Sequence, residues 1–322
     1  MQPTLYTEAP PEITSLAPSA RFRRSSIRRV STILLFLLPS FAIYLLFVLY
    51  PVVQAGFYSF YSWDGLEPLT NFVGLKNYAL AFADKVFQGA FIHNLVLLVL
   101  ALLLQLPFAL MLALLIGKKL PGRTFFRTIF FMPYILSEVI AGVIWEFIYR
   151  PDSGINITLQ HLFPAFQGIL WLGDTKIVLF SIFIAMTWKY FGLHLVLYSA
   201  ALQNIPDEII EAARLDGASA FQVARYIHIP LLGSMIRLSI FLSALGSLQY
   251  FDLIWIMSQG GPVHASETMA TYLYKYGFQS FQMGYGSAVG VLIFLSCFVF
   301  SMIYQRFVMR RDLAGSLTAR VA

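Results

Sequence analysis

The sequence is poor in charge and has almost no cysteine. Asp, Glu, Lys and Arg make up 12% of its 322 residues, about half the share found in an ordinary soluble domain. A water-soluble fold of this length needs a charged skin, so that class is excluded. The single cysteine, Cys297, lies inside an apolar run. One cysteine excludes a disulfide framework, a cysteine metal cage and a dithiol redox pair. No GxxxxGK[ST] segment is present, so the chain has no phosphate-cradling loop of that kind. His93, His161, His194, His228 and His264 show no metal-ligand spacing, and no Ser-His-acid arrangement is placed for hydrolysis. No internal repeat is visible.

Apolar residues are what the chain has in plenty, at 58%, with a mean hydropathy of +0.72. The excess must face lipid. A spanning helix needs about 20 apolar residues, and six stretches qualify: 31–54, 93–116, 125–149, 177–202, 231–257 and 284–304. The expected fold is therefore all-α, a polytopic membrane protein with six transmembrane helices. The first run follows arginines, and Val53-Gln54-Ala55 loosely fits a cleavage site. Its apolar length exceeds a signal h-region of about 7–15 residues, so it reads as an uncleaved first helix.

The net charge of +6 could suggest nucleic acid, but Lys and Arg follow the membrane topology instead. With the N-terminus inside, the cytoplasmic side receives Arg21, Arg23, Arg24, Arg28 and Arg29. It also receives Lys118, Lys119, Arg123 and Arg127, then Arg214, Arg225 and Arg237, then Arg306, Arg310, Arg311 and Arg320. The outer side receives only Lys76, Lys85, Arg150, Lys176 and Lys275. Both termini are thus expected in the cytoplasm. Residues 1–30 read as a basic, disordered tail, 31–305 as the six-helix domain and 306–322 as a cytoplasmic tail.

The connection 205–230 is the most informative segment. Asp207 suits an N-cap, Glu208 and Glu211 suit a helix N-terminus, and Gly217 stands where a left-handed C′ residue is needed. Ser219 can cap a second short helix that Pro230 limits. That helix carries Phe221, Val223, Ala224, Tyr226 and Ile227, a large apolar load for a loop in water. It could lie on the membrane surface, or it could dock on a partner. Its spacing is specific: Glu211-Ala212-Ala213, three residues, Gly217, nine residues, Ile227, one residue, then Ile229-Pro230. This resembles the EAA signature of the membrane-spanning subunits of bacterial ABC importers, with Ile229 in place of the usual Leu.

The resemblance covers nearly the whole chain and points to the carbohydrate-uptake branch, with its maltose-type and glycerol-phosphate-type permeases. Trp188, the run 201–206, Gly260-Gly261-Pro262, the stretch 72–78 and the stretch 283–288 are similar to that branch. The region from Asn71 suggests the first of two related permeases. The resemblance implies a non-catalytic subunit in a bacterial or archaeal inner (plasma) membrane. Its partners would be a second homologous permease, two cytoplasmic ATPases and an extracytoplasmic solute-binding protein that docks around 260–282. This chain would bind no cofactor; ATP and magnesium would sit on the ATPases. Glu211, Ala212, Ala213, Asp216, Gly217, Phe221, Ile227 and Pro230 would form a lever that docks in an ATPase cleft, and ATPase closure would switch the helices between inward- and outward-facing states.

Polar groups inside spans usually face a cavity. Met186, Tyr190 and Leu193 fall at i, i+4 and i+7 on one face of the fourth span, with Lys189 beside them. Ser247, Gln249, Tyr250 and Asp252 cluster late in the fifth. The resemblance aligns both groups with solute-contacting positions. Aromatic faces and hydrogen-bonding side chains suit a sugar. Alternatives stand beside this: Asp252 at a headgroup, Tyr250 as an interface aromatic, Met186 and Leu193 as plain packing. Lys189 could snorkel, pair with Glu138 or Glu146, or meet an anionic ligand such as a sugar phosphate. Glu138 and Glu146 could share a helix face as a proton relay, which nothing else supports. The rival class is an ion-coupled secondary carrier, but the repeat symmetry and broken helices usual there are not visible in the sequence. A membrane enzyme would need a catalytic cluster that the chain lacks.

Overall fold

The computed structural model describes residues 20–117, 120–152 and 154–309, with side chains from Thr32 onward. Lys118, Lys119, Arg310, Arg311, Arg320 and most of the expected N-terminal tail lie outside the described residues. Among the described residues every regular element is helical, apart from one antiparallel bridge between Tyr61 and Phe72.

The chain divides into two units, 1–54 and 55–322. The first is a helical run, α1 (Ala20–Tyr44), a π-helical turn (Leu45–Leu49) and the start of α2 (Tyr50–Tyr58). Residues 20–30 are thus helical where an unstructured tail was expected. From Thr32 to Val53 its side chains are exposed. A helix apolar on every side belongs in lipid rather than water.

The second unit holds the packed helices. Helix α3 (Lys76–Ala83) precedes α4 (Lys85–Leu100), which continues through a π-helical turn (Ala101–Gln105) into α5 (Leu106–Ile116). Then come α6 (Arg123–Ile135), α7 (Glu138–Ile148), α8 (Gly154–Leu162) and α9 (Val178–Gln203). The short α10 (Asp207–Leu215), α11 (Ala220–Val223) and α12 (Ile229–Leu231) lead to α13 (Gly233–Leu248) and α14 (Asp252–Ser258). Helices α15 (Met269–Leu273) and α16 (Met283–Tyr304) complete the unit.

Helix α9 is the axis of the packing. Its 26 residues extend about 39 Å at 1.5 Å per residue, enough to cross a hydrocarbon core of about 30 Å. It buries side chains on most of its circumference, from Val178 to Leu202. Gly192 lets α6 come close: a Cβ there would lie 2.0 Å from the Phe130 carbonyl oxygen. Phe191 packs between Phe108 of α5, tilted against it, and Phe130 of α6, edge-on to it, with ring centroids 5.4 and 5.8 Å apart. One apolar core joins α4, α7, α9 and α14 around Leu97, Ala141, Ile182 and Leu253. Another joins α5, α9 and the start of α13 around Ala113, Leu195 and Leu232.

Among the described residues, four helical runs are long and apolar enough to cross a membrane: Thr32–Tyr58, Lys85–Ile116, Val178–Gln203 and Met283–Met309. Two bent pairs pass the same test together, Arg123–Ile135 with Glu138–Ile148 at 97° and Ala220–Leu231 with Gly233–Leu248 at 69°. The structure therefore differs from the sequence reading at the third and fifth spans, which were read as continuous and unbroken. In the third, Pro133 lies inside α6, where it removes a backbone donor. Ser137 then caps α7, accepting the Ile140 N–H at 3.3 Å. The fifth stretch leaves helical geometry between Gln249 and Phe251. Its polar cluster therefore lies at a break rather than inside a regular span.

Candidate functional site

The breaks expose backbone groups, and buried side chains satisfy them. Lys189, 2% exposed, donates from Nζ to the Leu136 carbonyl at 2.5 Å, at the α6–α7 bend. The same ammonium is 3.6 Å from Oε1 of Glu138. Tyr190 donates its hydroxyl to that oxygen at 2.5 Å. Near the second break, Asn94 of α4 donates from Nδ2 to the Ser247 carbonyl at 2.6 Å and accepts the Met269 N–H at 3.0 Å. Thr268 donates to the Tyr250 carbonyl at 2.8 Å.

A cavity of about 230 Å³ lies between α9, α13 and the π-helical turn after α4. Met186, Tyr190, Leu193, Ser247 and Tyr250 line it, so the two groups picked from separate spans meet on one concave surface. Lys189, Gln249 and Asp252 are not in its lining. Lys189 turns to the α6–α7 bend, while Gln249 and Asp252 are exposed. Tyr190 stands edge-on to Tyr134 and Tyr250, with centroids 6.1 Å away in each case. Sequence reasoning missed Gln105, Tyr134, His194 and Ser243, which also line the cavity. His194 faces Ser243 Oγ through Nε2 at 3.1 Å. Its place in the helical register, one residue beyond Leu193, was the available signal.

The connection after α9 folds much as its residues suggested. The Ala218 N–H reaches back to the Ala213 carbonyl at 2.9 Å, and the Gly217 N–H to that of Arg214 at 3.1 Å. This is the paired closure of a helix end that needs a left-handed residue, and Gly217 has φ +84°. Ser219 and Gln222 form a reciprocal capping box. Two details differ. Pro206, not Asp207, is the N-cap residue of α10. Pro230 does not end the second helix, which passes through a π-helical turn (Ala224–His228) and runs on to Leu231. Leu215, Phe221 and Tyr226 are 90, 76 and 71% exposed. Glu211, Ala212, Asp216, Gly217 and Pro230 are also exposed, and Ala213 and Ile227 are half-buried.

The segment after α14 is knit around a buried carboxylate. Glu267 Oε2 accepts from Lys275 Nζ at 2.7 Å and lies 2.9 Å from His264 Nδ1. Gly260, at φ +78°, passes so close that a Cβ would meet this carboxyl at 2.7 Å. Nearby, Tyr272 donates to Asp84 at 2.5 Å. Burial, then that bond, raises the Tyr272 phenol pKa. An open concavity of about 820 Å³ lies beside Asp84, Trp63 and Tyr276. Among the described residues no group of three His, Cys, Asp or Glu side chains could hold a metal ion.

Comparison with known proteins gives a consistent picture. The family described as binding-protein-dependent transport system inner membrane component matches residues 79–312. The chain is 34% identical over 276 residues to the probable ABC transporter permease protein YurN of Bacillus subtilis (strain 168), covering 85% of this chain and 94% of that one. It is 30% identical over 306 residues to the diacetylchitobiose uptake system permease protein NgcF of Streptomyces coelicolor, covering 91% and 86%. A chain of a bacterial alginate ABC transporter, solved in complex with an alginate pentasaccharide-bound periplasmic protein, has the same fold, with a TM-score of 0.78 at 22% identity over 89% of this chain and 96% of that one.

Proposed function

Since the chain belongs to the family of binding-protein-dependent transport system inner membrane components, we propose that it forms half of the pathway by which a sugar or sugar-like solute is imported at the expense of ATP. The chain would cross the membrane six times, each bent helix pair or interrupted stretch serving as one crossing, with both ends in the cytoplasm. Its partners would be a second related permease, two cytoplasmic ATPases that hold ATP and magnesium, and an extracytoplasmic binding protein. The uptake systems named for NgcF and for the multiple sugar-binding permease MsmF of Streptococcus mutans support a saccharide as solute.

The observation that carries this reading is the connection 205–230. Its two short helices meet at a glycine turn and hold Leu215, Phe221 and Tyr226 out into solvent. Exposed apolar side chains on a rigid, capped element are what a docking knob requires. Glu211, Ala212, Ala213, Asp216 and Gly217 would shape its joint, and Phe221, Ile227 and Pro230 its docking helix. α12 leads directly into α13, which lines the cavity. A push on the knob therefore has a short route to Ser247 and Tyr250, and across the cavity to Met186, Tyr190 and Leu193. The exposed Gln249 and Asp252 would meet solute at the cavity mouth.

The test is reconstitution of the chain with the ATPases, second permease and binding protein of its own host. Solute-stimulated ATP hydrolysis and ATP-dependent uptake are expected. Broken helices also serve ion-coupled carriers. Uptake by the chain alone that stops when the ion gradient is collapsed would therefore sink the importer in favour of a secondary carrier.

A further inference from the structure

The sequence leaves two solute chemistries open, a neutral saccharide or an anion such as a sugar phosphate met by Lys189. Building on the permease reading, we propose that the surface this chain lends to the pathway selects a neutral, polyhydroxylated solute, and that Lys189 is a positioning residue that holds the α6–α7 bend.

The ammonium of Lys189 is already engaged. It is buried, donates to the Leu136 carbonyl at 2.5 Å and has Glu138 3.6 Å away. An anion binding there would be brought against the Glu138 carboxylate and would compete for the ammonium that serves the part-buried Leu136 carbonyl. Lys189 is also absent from the cavity lining.

Among the described residues the lining itself contains no Asp, Glu, Lys or Arg. Its polar groups are the Gln105 amide, the His194 imidazole and the hydroxyls of Ser243, Ser247 and the tyrosines. Amides, imidazoles and hydroxyls both donate and accept, which matches hydroxyl groups that do the same. Among the described residues His194 Nδ1 is buried without a hydrogen-bond partner. A solute hydroxyl that reached it would satisfy a group that is otherwise costly to bury. The charges around this surface lean the wrong way for an anion, since the Lys189 ammonium is 3.6 Å from the Glu138 carboxylate and Asp252 adds a second, exposed carboxylate two residues beyond Tyr250. Like charges brought together outside bulk water repel strongly.

The assembled importer in proteoliposomes tests this with maltose, trehalose and diacetylchitobiose as neutral probes and glycerol 3-phosphate, glucose 6-phosphate and digalacturonate as anionic ones. ATP-driven uptake of a neutral probe in preference to every anion is expected, and preferred uptake of an anion overturns the proposal while leaving the importer reading intact. Uptake that proceeds without ATP overturns the importer reading instead. His194→Phe should raise KM for the transported sugar roughly tenfold, the worth of one hydrogen bond, and His194→Gln should restore most of it. An unchanged KM in His194→Phe counts against the proposal. Lys189→Gln should slow neutral and anionic probes by the same factor, whereas selective loss of an anion makes Lys189 a ligand. If no probe is transported, the thermal stability of the purified complex decides. Glu138→Gln should recover part of the loss caused by Lys189→Gln, and strictly additive losses overturn the positioning role.

Discussion

Asn94 satisfies a carbonyl of α13 and an N–H of α15 from a third helix, α4. Replacing it by Leu leaves two buried backbone groups unsatisfied, a cost of roughly 2–6 kcal/mol at about 1–3 per group. Asn94→Leu should therefore lower the thermal aggregation temperature of the detergent-solubilised protein sharply, while Asn94→Gln should do less damage. An undisturbed melting profile in Asn94→Leu would show that the two helices do not depend on this bridge. Gly192→Val should be as harmful, because its Cβ position lies 2.0 Å from the Phe130 carbonyl oxygen, backbone that cannot move aside. The expected readout is loss of the folded peak in size-exclusion chromatography. At Asp64 the effect is pH-dependent. Its Oδ1 accepts the Leu66 and Glu67 N–H groups at 3.0 Å each, and those bonds hold its carboxyl pKa below the ordinary 3.8. A lowered folded pKa means the turn is fully supported above the ordinary value and loosens as pH falls through the lowered one. Amide exchange at Leu66 and Glu67 should rise only under such acidic conditions, and a rise already near neutrality would contradict this. Single residues were unevenly legible. The shared face of Met186, Tyr190 and Leu193 follows from helical spacing alone. Asn94, Gln105 and His194 look like isolated polar interruptions; the partners that explain Asn94 lie 153 and 175 residues away.

Among the elements, the 205–230 connection was the easiest to read, since its structure is set by local chemistry. The left-handed turn at Gly217, the cap at Ser219 and the acidic first turn all depend on residues within a few positions of one another. Gly217→Ala should strain the turn by roughly 1–2 kcal/mol, and Gly217→Pro should abolish ATP-coupled uptake while the chain still reaches the membrane. Normal uptake in Gly217→Pro would remove the connection from the coupling route. Ser219→Ala, which loses a cap worth about 1 kcal/mol, should weaken coupling only partly. The α6–α7 bend was harder to read. Pro133 and Ser137 were visible, but a proline in an apolar run can also sit in a kinked continuous helix. Only the partners that Lys189 and Ser137 find at the bend make a 97° break sustainable.

At the scale of the whole molecule, the proposed orientation puts Leu66 outside and Leu215 inside. Both are exposed, so a cysteine at either site, in a Cys297→Ser background, can be labelled with a membrane-impermeant maleimide on intact cells. Labelling at 66 and protection at 215 is the expected pattern, and the reverse pattern would invert the topology. Composition and the long apolar runs determined that the chain is a helical membrane protein, because a chain with 12% charge has too little polar surface to face water and runs of about 20 apolar residues are the length a spanning helix needs. Local spacing determined the capped connection and its exposed apolar side chains. The tertiary structure decided where the long helices break, that His194 and Gln105 share a cavity with Tyr190 and Ser247, and that Lys189 faces a carbonyl and a carboxylate instead. The physical reason is that burial makes a polar side chain seek a partner wherever the fold brings one, and the fold brings these from helices far apart in the chain.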